Sequence, residues 1–252
     1  MDQTKIVNYC GGLSKSLSII VLDEVGSTND EVKSRATDGK DWVIIARSQT
    51  AGRGRLGRSF DSQRGGLYLS LSYRPDRPLE QSLHLTAMAA LAICDVVQKL
   101  CNIKVEIKWP NDLLLNNKKF CGILTEAAFN GDGYFIVTGI GINLDNPLPP
   151  ELTEATTLRE ACGFSPEPEL LAAEVIKQIY QIFAGAYRNK ARLIQRYRMN
   201  CATIGKKVLA TADGAPVEGI AVGINENAAL LVQKENGSIV TIFSGEATLK
   251  RE

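Results

Sequence analysis

A loop in which arginine alternates with glycine constrains this chain more than any other feature. Residues 51–58, Ala-Gly-Arg-Gly-Arg-Leu-Gly-Arg, directly follow an apolar run at residues 42–46 that has the composition of a β-strand. Glycine lets the main chain approach a ligand closely, and arginine presents a planar fork of charged donors to carboxylate or phosphate. The loop predicts an anion site at a strand end. A solvated basic loop, or a contact to nucleic-acid phosphates, is an alternative at this point.

Composition requires that this anion site be local. The 252 residues carry a net charge of +1, so no global field attracts nucleic acid or a membrane. The six cysteines form no C-x-x-C pair, and the one histidine, His84, begins an apolar helical pattern. We therefore expect reduced core thiols, no metal site built on thiolates and a packing role for His84. The sequence shows no signal peptide and no apolar run near the roughly 18 residues that span a bilayer, so a cytoplasmic protein is expected.

Apolar periodicity predicts an α+β chain with a change of texture near residue 200. Residues 203–252 consist of short β-like runs separated by turn residues at 213–214, 225–227 and 236–237, which is typical of a small β-barrel. We therefore expect a large domain at 1–200 and a small domain at 201–252. In the first domain the pattern predicts strands at 18–23, 42–47, 66–73, 105–109, 113–115, 121–128 and 134–139, and helices from Ser27 to 36, at 83–100, at 157–162 and at 169–199 with a break near 185.

Three further motifs have residues suited to chemistry, and each has a plainer interpretation. Lys108–Asp112 places a cation, an indole and a carboxylate at a strand end, although any exposed turn has this character. Lys119–Leu124 interrupts an apolar strand with Gly122, which indicates close approach of a ligand or a simple bulge. The alternate glycines of Gly139–Asn143 clear one face of a strand, either for a flat ligand or for tight packing.

Taken together and in this order, these motifs resemble those of the biotin protein ligases. The similarity runs from about residue 18 to the C-terminus, where residues 245–249 resemble the family's closing motif. The related lipoate ligases share the fold but lack this arginine loop. The motifs that carry the resemblance are Ser27-Thr28-Asn29, Ser48–Arg58, Lys108–Leu113, Lys119–Leu124 and Gly139–Asn143.

The resemblance implies a fold and a reaction. The fold is a mixed β-sheet flanked by helices, as in class II aminoacyl-tRNA synthetases and biotin ligases, with a small C-terminal SH3-like β-barrel. Biotin and ATP give biotinyl-5′-AMP, which then biotinylates one lysine of a biotin carboxyl carrier domain, of the type found in acetyl-CoA carboxylase. Mg²⁺ accompanies ATP and is held mainly by phosphates. The 26 residues before Ser27 are too few for a helix-turn-helix domain, so no DNA binding is expected. A homodimer is possible.

Residue roles follow from the same resemblance. Arg55, Lys119 and Asp112 are the expected catalytic residues. Asp112 is our own candidate for orienting or deprotonating the incoming lysine amine, and bracing of the loop is the alternative role. Ile123 and Leu124 offer an apolar slot, and Phe60 stands where the family often has a tryptophan near adenine. The expected biotin-binding residues are Ser27, Thr28, Asn29, Gln49, Gly52, Arg53, Arg55, Lys119, Gly122 and Leu124. The expected ATP-binding residues are Arg53, Arg55, Arg58, Phe60, Lys108, Asn111, Lys119, Gly139, Gly141 and Asn143.

Two rival functions remain open on the sequence alone. A lipoate or octanoyl ligase would activate a different carboxylate on the same fold. A nucleic-acid-binding module would use the arginine loop and the small barrel, although the near-zero net charge argues against it. For the ligase, we expect residues 51–60 to be mobile without ligand and to close over biotin.

Overall fold

The computed structural model describes residues 1–131, 133–212, 215–243, 245 and 248–249. Its helices are α1 (Gln3–Cys10), α2 (Thr28–Arg35), α3 (Leu85–Cys101), α4 (Leu158–Cys162), α5 (Pro168–Gly185) and α6 (Lys190–Asn200). Its strands are β1 (Leu17–Val25), β2 (Asp41–Gln49), β3 (Leu67–Tyr73), β4 (Glu106–Lys108), β5 (Asp112–Leu115), β6 (Lys118–Asn130), β7 (Gly133–Ile142), β8 (Lys207–Ala212), β9 (Ala215–Ile224), β10 (Leu230–Gln233), β11 (Ile239–Ile242) and β12 (Thr248–Leu249).

The first seven strands form one mixed sheet. Their order is β1-β2-β3-β7-β6-β5-β4. Strands β1 and β2 are parallel, because α2 carries the chain back across the sheet between them, and the other neighbours are antiparallel. The mixed sheet expected from the sequence is therefore present.

Successive side chains along β7 point to opposite faces of this sheet, and each face packs against different helices. Ile136, Ile140 and Ile142 belong to the main hydrophobic core with α3 and α5. Phe135 and Val137 point the other way and pack with Val32 and Ala36 around α2. The next residues on that second face are Gly139 and Gly141, so the apolar packing stops there and leaves space above the sheet.

Helix α3 corrects one expectation. Residues 79–101, which include α3, contain an 18-residue window with a mean hydropathy of 1.4 and satisfy the length and composition of a membrane-spanning helix, although no such run was expected. The helix packs against α5, α6 and β6, and 67% of the segment's most apolar window is buried. Burial within the protein core accounts for its apolar character on both sides.

The helix ends differ from the sequence expectation at two places. Ser27 occupies the N-cap position of α2, but its hydroxyl makes no capping hydrogen bond within the described part of the chain. The Thr28 amide instead donates to the side chain of Gln49. Helix α1 was not expected; it is capped by Asp2 and packs on α5. The break near Gly185 is confirmed as the gap between α5 and α6.

The last five strands form a small antiparallel sheet in the order β11-β10-β9-β8-β12. Its core residues Val208, Ala210 and Ile242 belong to the same hydrophobic cluster as Trp109, which directly follows β4 of the first sheet. The two sheets therefore share an apolar contact, and the boundary near residue 200 stays a prediction. The turn expected at 213–214 and part of the closing motif at 245–249 lie outside the described residues.

Candidate active site

A cavity of about 420 Å³ lies above the second face of the large sheet. The N-terminus of α2, the arginine loop and strands β5 to β7 enclose it. Its lining consists of Ser27, Thr28, Asn29, Gln49, Arg53, Gly54, Arg55, Arg58, Ser59, Phe60, Lys108, Trp109, Pro110, Asn111, Asp112, Lys119, Gly122, Ile123, Leu124, Gly139, Ile140 and Gly141.

Glycines form the floor of the cavity. A Cβ atom on Gly141 would lie 2.5 Å from the Phe60 ring, and one on Gly139 would overlap the Asn29 carboxamide. A Cβ on Gly122, on the neighbouring strand, would lie 3.1 Å from the same ring. The alternate glycines therefore clear one face of β7, as the sequence indicates, and Phe60 and Asn29 lie on that cleared face.

A polar network occupies one end of the cavity. The Thr28 amide and hydroxyl donate to Gln49 Oε1 at 2.9 and 3.0 Å, and Gln49 Nε2 donates to the Ser62 hydroxyl at 2.8 Å. The buried Ser70 hydroxyl lies 2.7 Å from Thr28 Oγ1 and 2.6 Å from Asn29 Oδ1. These contacts fix the orientations of the Gln49 and Asn29 amides, so this end is suited to a neutral polar ligand group with both donors and acceptors.

The arginine loop is a narrow hairpin over the cavity. The Gly54 amide donates to the Arg58 carbonyl at 2.7 Å, and the Phe60 amide donates to the Gly52 carbonyl at 2.9 Å. The turn between them includes Gly57 at a φ of 75°, a left-handed conformation that glycine adopts without strain. Arg55 Nη1 donates to the carbonyl of Gly245, 3.0 Å away, so the loop also contacts the C-terminal sheet.

The opposite wall contains an ion pair. Lys119 Nζ lies 2.7 Å from Asp112 Oδ1 and 5.7 Å from the centre of the Phe60 ring. The Lys119 amide donates to the Glu154 carbonyl at 2.7 Å, and its carbonyl accepts from the Thr156 amide at 2.9 Å. The segment at 154–156 thus fixes the backbone of Lys119. The ammonium group at the end of its side chain can still move in response to charge in the cavity.

Two expected site residues lie outside the lining. The side-chain oxygen of Asn143 accepts a hydrogen bond from Asn146, and its backbone pairs with Phe120 and Leu158, so Asn143 is buried at the end of β7. Gly52 lies at the base of the loop, where a Cβ would overlap the Phe60 carbonyl. The absence of a side chain at Gly52 lets the hairpin close. Neither residue is among those that line the cavity, and their expected ligand roles stay predictions.

The other expected site residues converge on the cavity, and some of its lining was not anticipated. Sequence reasoning missed the lining roles of Gly54, Ser59, Trp109, Pro110 and Ile140. Trp109 and Pro110 lie inside a motif that had been singled out, so their position in that motif was the available signal. The Ile140 side chain packs in the core. Its apolar character therefore indicated a core residue and gave no sign that the residue also lines the cavity.

Two segments of this chain match families of known proteins. Residues 22–143 match the biotin/lipoate A/B protein ligase family, and residues 203–250 match the biotin protein ligase C-terminal domain. The bifunctional ligase/repressor BirA of Bacillus subtilis is 34% identical over 92% of this chain and 74% of its own length. The chain belongs to the biotin/lipoate A/B protein ligase family. The biotin–[acetyl-CoA-carboxylase] ligase of Paracoccus denitrificans is 31% identical over 86% of this chain and 95% of its own length.

Solved structures of the ligase family agree with this assignment. Biotin protein ligase from Aquifex aeolicus, in complex with biotin and ATP, superposes with a TM-score of 0.79 at 30% identity, covering 93% of this chain and 99% of its own. The Leishmania major biotin protein ligase in complex with biotinyl-5-AMP gives 0.65 at 27% identity, over 89% of this chain and 98% of its own. The expected fold class, the resemblance to biotin protein ligases and the enzyme class are therefore confirmed.

Proposed function

We propose that this ligase uses ATP to attach biotin to a specific lysine of a carrier domain through a biotinyl-5′-AMP intermediate. One observation carries the proposal: cations from separate elements line one cavity with a glycine floor. Lys119 comes from β6 and Lys108 from β4, whereas Arg53, Arg55 and Arg58 come from the arginine loop. An acyl adenylate needs such a site, because two anions must meet there.

The first step must overcome the electrostatic repulsion between its two anionic substrates. The biotin carboxylate must approach the α-phosphate of ATP, and two unit charges about 4 Å apart repel by about 4 kcal/mol at an effective dielectric near 20. Further negative charge develops on the phosphoryl oxygens as pyrophosphate leaves. We assign Arg53 and Arg55 to the carboxylate and phosphate, Arg58 to the outer phosphates and Lys119 to the bridging oxygens.

The neutral parts of the substrates match the remaining walls. The network of Thr28 and Gln49 offers hydrogen bonds to the ureido head of biotin, while Ile123 and Leu124 lie beside the path of its apolar chain. Adenine is assigned to the glycine floor. Because the Phe60 ring already lies there, the ring must either stack on the base or move aside to admit it.

In the second step, the lysine amine of the carrier attacks the acyl carbon of biotinyl-5′-AMP, an amide bond forms and AMP leaves. This step needs a group that orients or deprotonates the amine. Asp112 lines the cavity and binds Lys119 at 2.7 Å, so its carboxylate is positioned to orient the ammonium group of the incoming lysine or to accept its proton. The neighbouring Asn111 is fixed by a hydrogen bond of 2.6 Å to the Ile123 carbonyl. That bond holds the turn carrying Asp112 against β6.

Mg²⁺ enters this scheme with ATP. Among the described residues, no group of three or more histidine, cysteine, aspartate or glutamate side chains is placed to hold a metal ion. We therefore propose that phosphates and water would hold most of the ion's coordination. Asp112 is the one carboxylate among the described residues that line the cavity. Its chemical contribution is to spread the charge of the triphosphate.

The carrier is proposed to be a biotin carboxyl carrier domain of the acetyl-CoA carboxylase type. This proposal is supported by the names of the relatives from Mycobacterium tuberculosis and Paracoccus denitrificans. A cytoplasmic location, a homodimer and the absence of DNA and membrane binding stay predictions from the sequence.

Mass spectrometry tests the proposed function directly. The protein is mixed with ATP, Mg²⁺, biotin and a carrier domain, and released pyrophosphate is measured alongside. With ATP, Mg²⁺ and biotin but without the carrier, we expect release of pyrophosphate. After the carrier is added, we expect one biotin on one carrier lysine. Lipoate replaces biotin in the matched reaction, and activation of lipoate in preference to biotin would support the rival ligase. No pyrophosphate with either acid would contradict both.

A further inference from the structure

Two carboxylates outside the cavity lining hold the first arginine of the loop. Arg53 Nη2 lies 2.5 Å from Asp30 Oδ1, on the first turn of α2, and 3.5 Å from Glu126 Oε2, on β6. Arg53 also lines the cavity, whereas neither acidic residue does. One guanidinium therefore lies between a carboxylate pair on one side and the proposed anion site on the other.

Glu126 is itself fixed by two further groups. Lys33 Nζ lies 2.7 Å from Glu126 Oε1, and Asn29 Nδ2 donates to Glu126 Oε2 at 2.7 Å. Burial acts to raise the pKa of Glu126, but the bonds from Lys33 and Asn29 and the charges of Lys33 and Arg53 outweigh it and hold the pKa below its usual value. The carboxylate is therefore ionised at neutral pH and keeps its place when Arg53 leaves.

The balance of charge among four side chains explains why Arg53 can exchange its carboxylate partner. Lys33 and Arg53 offset Asp30 and Glu126, so the quartet is neutral without a ligand. Asp30 and Arg53 are 57% and 40% exposed, and ion pairs at that exposure are weak because water and salt screen them. An incoming carboxylate or phosphate can therefore replace Asp30 as the partner of Arg53 at little cost.

We propose that Asp30 and Glu126 form a holding site that keeps Arg53 beside the cavity and competes with the anionic substrate for its guanidinium. This inference rests on the proposed function of the cavity. Glu126 acts as a positioning residue, because it acts through Asn29 and Arg53. Asp30 supplies the exchangeable contact.

The test is an Asp30→Asn variant, which removes one charge from the holding site and changes the side-chain shape little. We expect the KM for biotin in pyrophosphate release to fall by about two- to fivefold, which corresponds to the loss of one exposed ion pair, while kcat stays within about twofold. Glu31→Gln is the matched control, since Glu31 lies on the same helix and pairs with Arg35 away from the cavity. An unchanged or higher KM in Asp30→Asn would overturn the proposal.

A second measurement separates this inference from the proposed function. Amide hydrogen exchange of residues 52–60 needs no substrate, and we expect faster exchange in Asp30→Asn and in Glu126→Gln than in the parent protein or Glu31→Gln. Equal rates of amide hydrogen exchange at residues 52–60 in all four proteins would contradict the holding site, even if the ligase is active. Absence of pyrophosphate release from the parent protein, with faster loop exchange in the variants, would instead remove the proposed function and retain the holding site.

Discussion

At the scale of single residues, Arg55 links the arginine loop to the C-terminal sheet and to the cavity at once. Its Nη1 donates to the Gly245 carbonyl, and its side chain lines the cavity where the adenylate is proposed to form. A long cation that reaches over an acyl adenylate would both neutralise its phosphate and block its exit. Retention of the intermediate is therefore assigned to this residue.

Replacing Arg55 with glycine is expected to release the adenylate. Biotinyl-5′-AMP that escapes would acylate exposed lysines of bystander proteins, so selectivity for one carrier lysine should be lost. Mass spectrometry of an added bystander protein measures this. Arg64→Gly is the control, because Arg64 pairs with Asp23 and does not line the cavity. Intact single-site labelling by Arg55→Gly would contradict the assignment.

We expect His84 to make the stability of the fold depend on pH in mild acid. The side chain is 1% exposed, and burial, with a smaller contribution from the charge of Lys190, lowers its pKa to about 4. The unfolded chain binds a proton near pH 6.5 and the folded protein does not, so stability is lost as the pH falls from about 6.5 to about 4. The expected loss between pH 7 and pH 5 is about 2 kcal/mol.

Urea unfolding at several pH values checks this expectation. The chain contains one histidine, so His84→Leu should remove most of the pH dependence between pH 7 and pH 5. The comparison uses the slope of the unfolding free energy with pH, which is insensitive to a constant packing cost in the variant. The same slope in both proteins would show that other groups carry the effect.

At the scale of elements, strand β7 serves the core with one face and the cavity with the other. Gly141 allows the Phe60 ring to approach, and an added methyl group would lie 2.5 Å from that ring. Gly141→Ala is expected to displace Phe60 and to block the adenine site, at a packing cost of about 1–3 kcal/mol. The KM for ATP should rise at least tenfold, by about 1.4 kcal/mol or more.

Gly133→Ala on the same strand is the matched control. The nearest atom to its added methyl group is the Asn130 carbonyl oxygen at 3.6 Å, which is an ordinary contact. Pyrophosphate release at varied ATP concentration should leave this variant unchanged. Equal KM values for both variants would show that the glycine floor does not hold the base.

The arginine loop is expected to become more ordered when biotin binds. Glycine-rich backbone loses more conformational freedom on ordering than other sequences, so the ligand must supply the contacts that fix it. Amide hydrogen exchange across residues 51–60 should slow on addition of biotin, while exchange in α3 stays constant. No change in the loop would argue that it is already closed without ligand.

Local elements were predicted well because their signals are local. Helices α2, α3 and α4 and most strands of the large sheet follow from apolar spacing and turn residues. Helix α1 could not be predicted in this way, since its stability comes from the Asp2 cap and from packing on α5, which is distant in sequence. The strand order likewise depends on contacts between distant segments.

The candidate site was predictable only where a motif marked it. The glycines, arginines and Lys119 stand out by composition, and the cavity collects them. The role of Asn143 toward adenine stays a prediction, and its hydrogen bonds to Asn146 and Phe120 could not be read from the spacing of the motif. Glu126 was missed because its partners Lys33 and Asn29 are more than 90 residues away in sequence.

At the scale of the whole molecule, the C-terminal part of the chain bonds to residues of the cavity wall, although none of its own described residues lines the cavity. Trp109 Nε1 donates to the Ala228 carbonyl at 2.9 Å, and the Trp109 ring is 2% exposed. Together with the bond between Arg55 and Gly245, this places two cavity residues under the influence of the second sheet. Folding of the small sheet and activity of the large one should therefore be coupled.

Trp109→Phe is expected to lower the free energy of unfolding by about 1 kcal/mol, because the half-buried Ala228 carbonyl loses its indole donor. Trp42→Phe is the matched control, since its indole donates to Asp38, which is exposed. Guanidinium unfolding of both variants measures the difference. A smaller effect for Trp109→Phe than for Trp42→Phe would mean that the contact between the sheets contributes little.

The position of Trp109 also gives the protein an optical reporter of its own. The chain has two tryptophans, and only Trp109 lies on the cavity wall. In a Trp42→Phe background the remaining indole emission comes from that wall alone. Stopped-flow fluorescence could then follow substrate entry and adenylate departure in real time, without any attached dye.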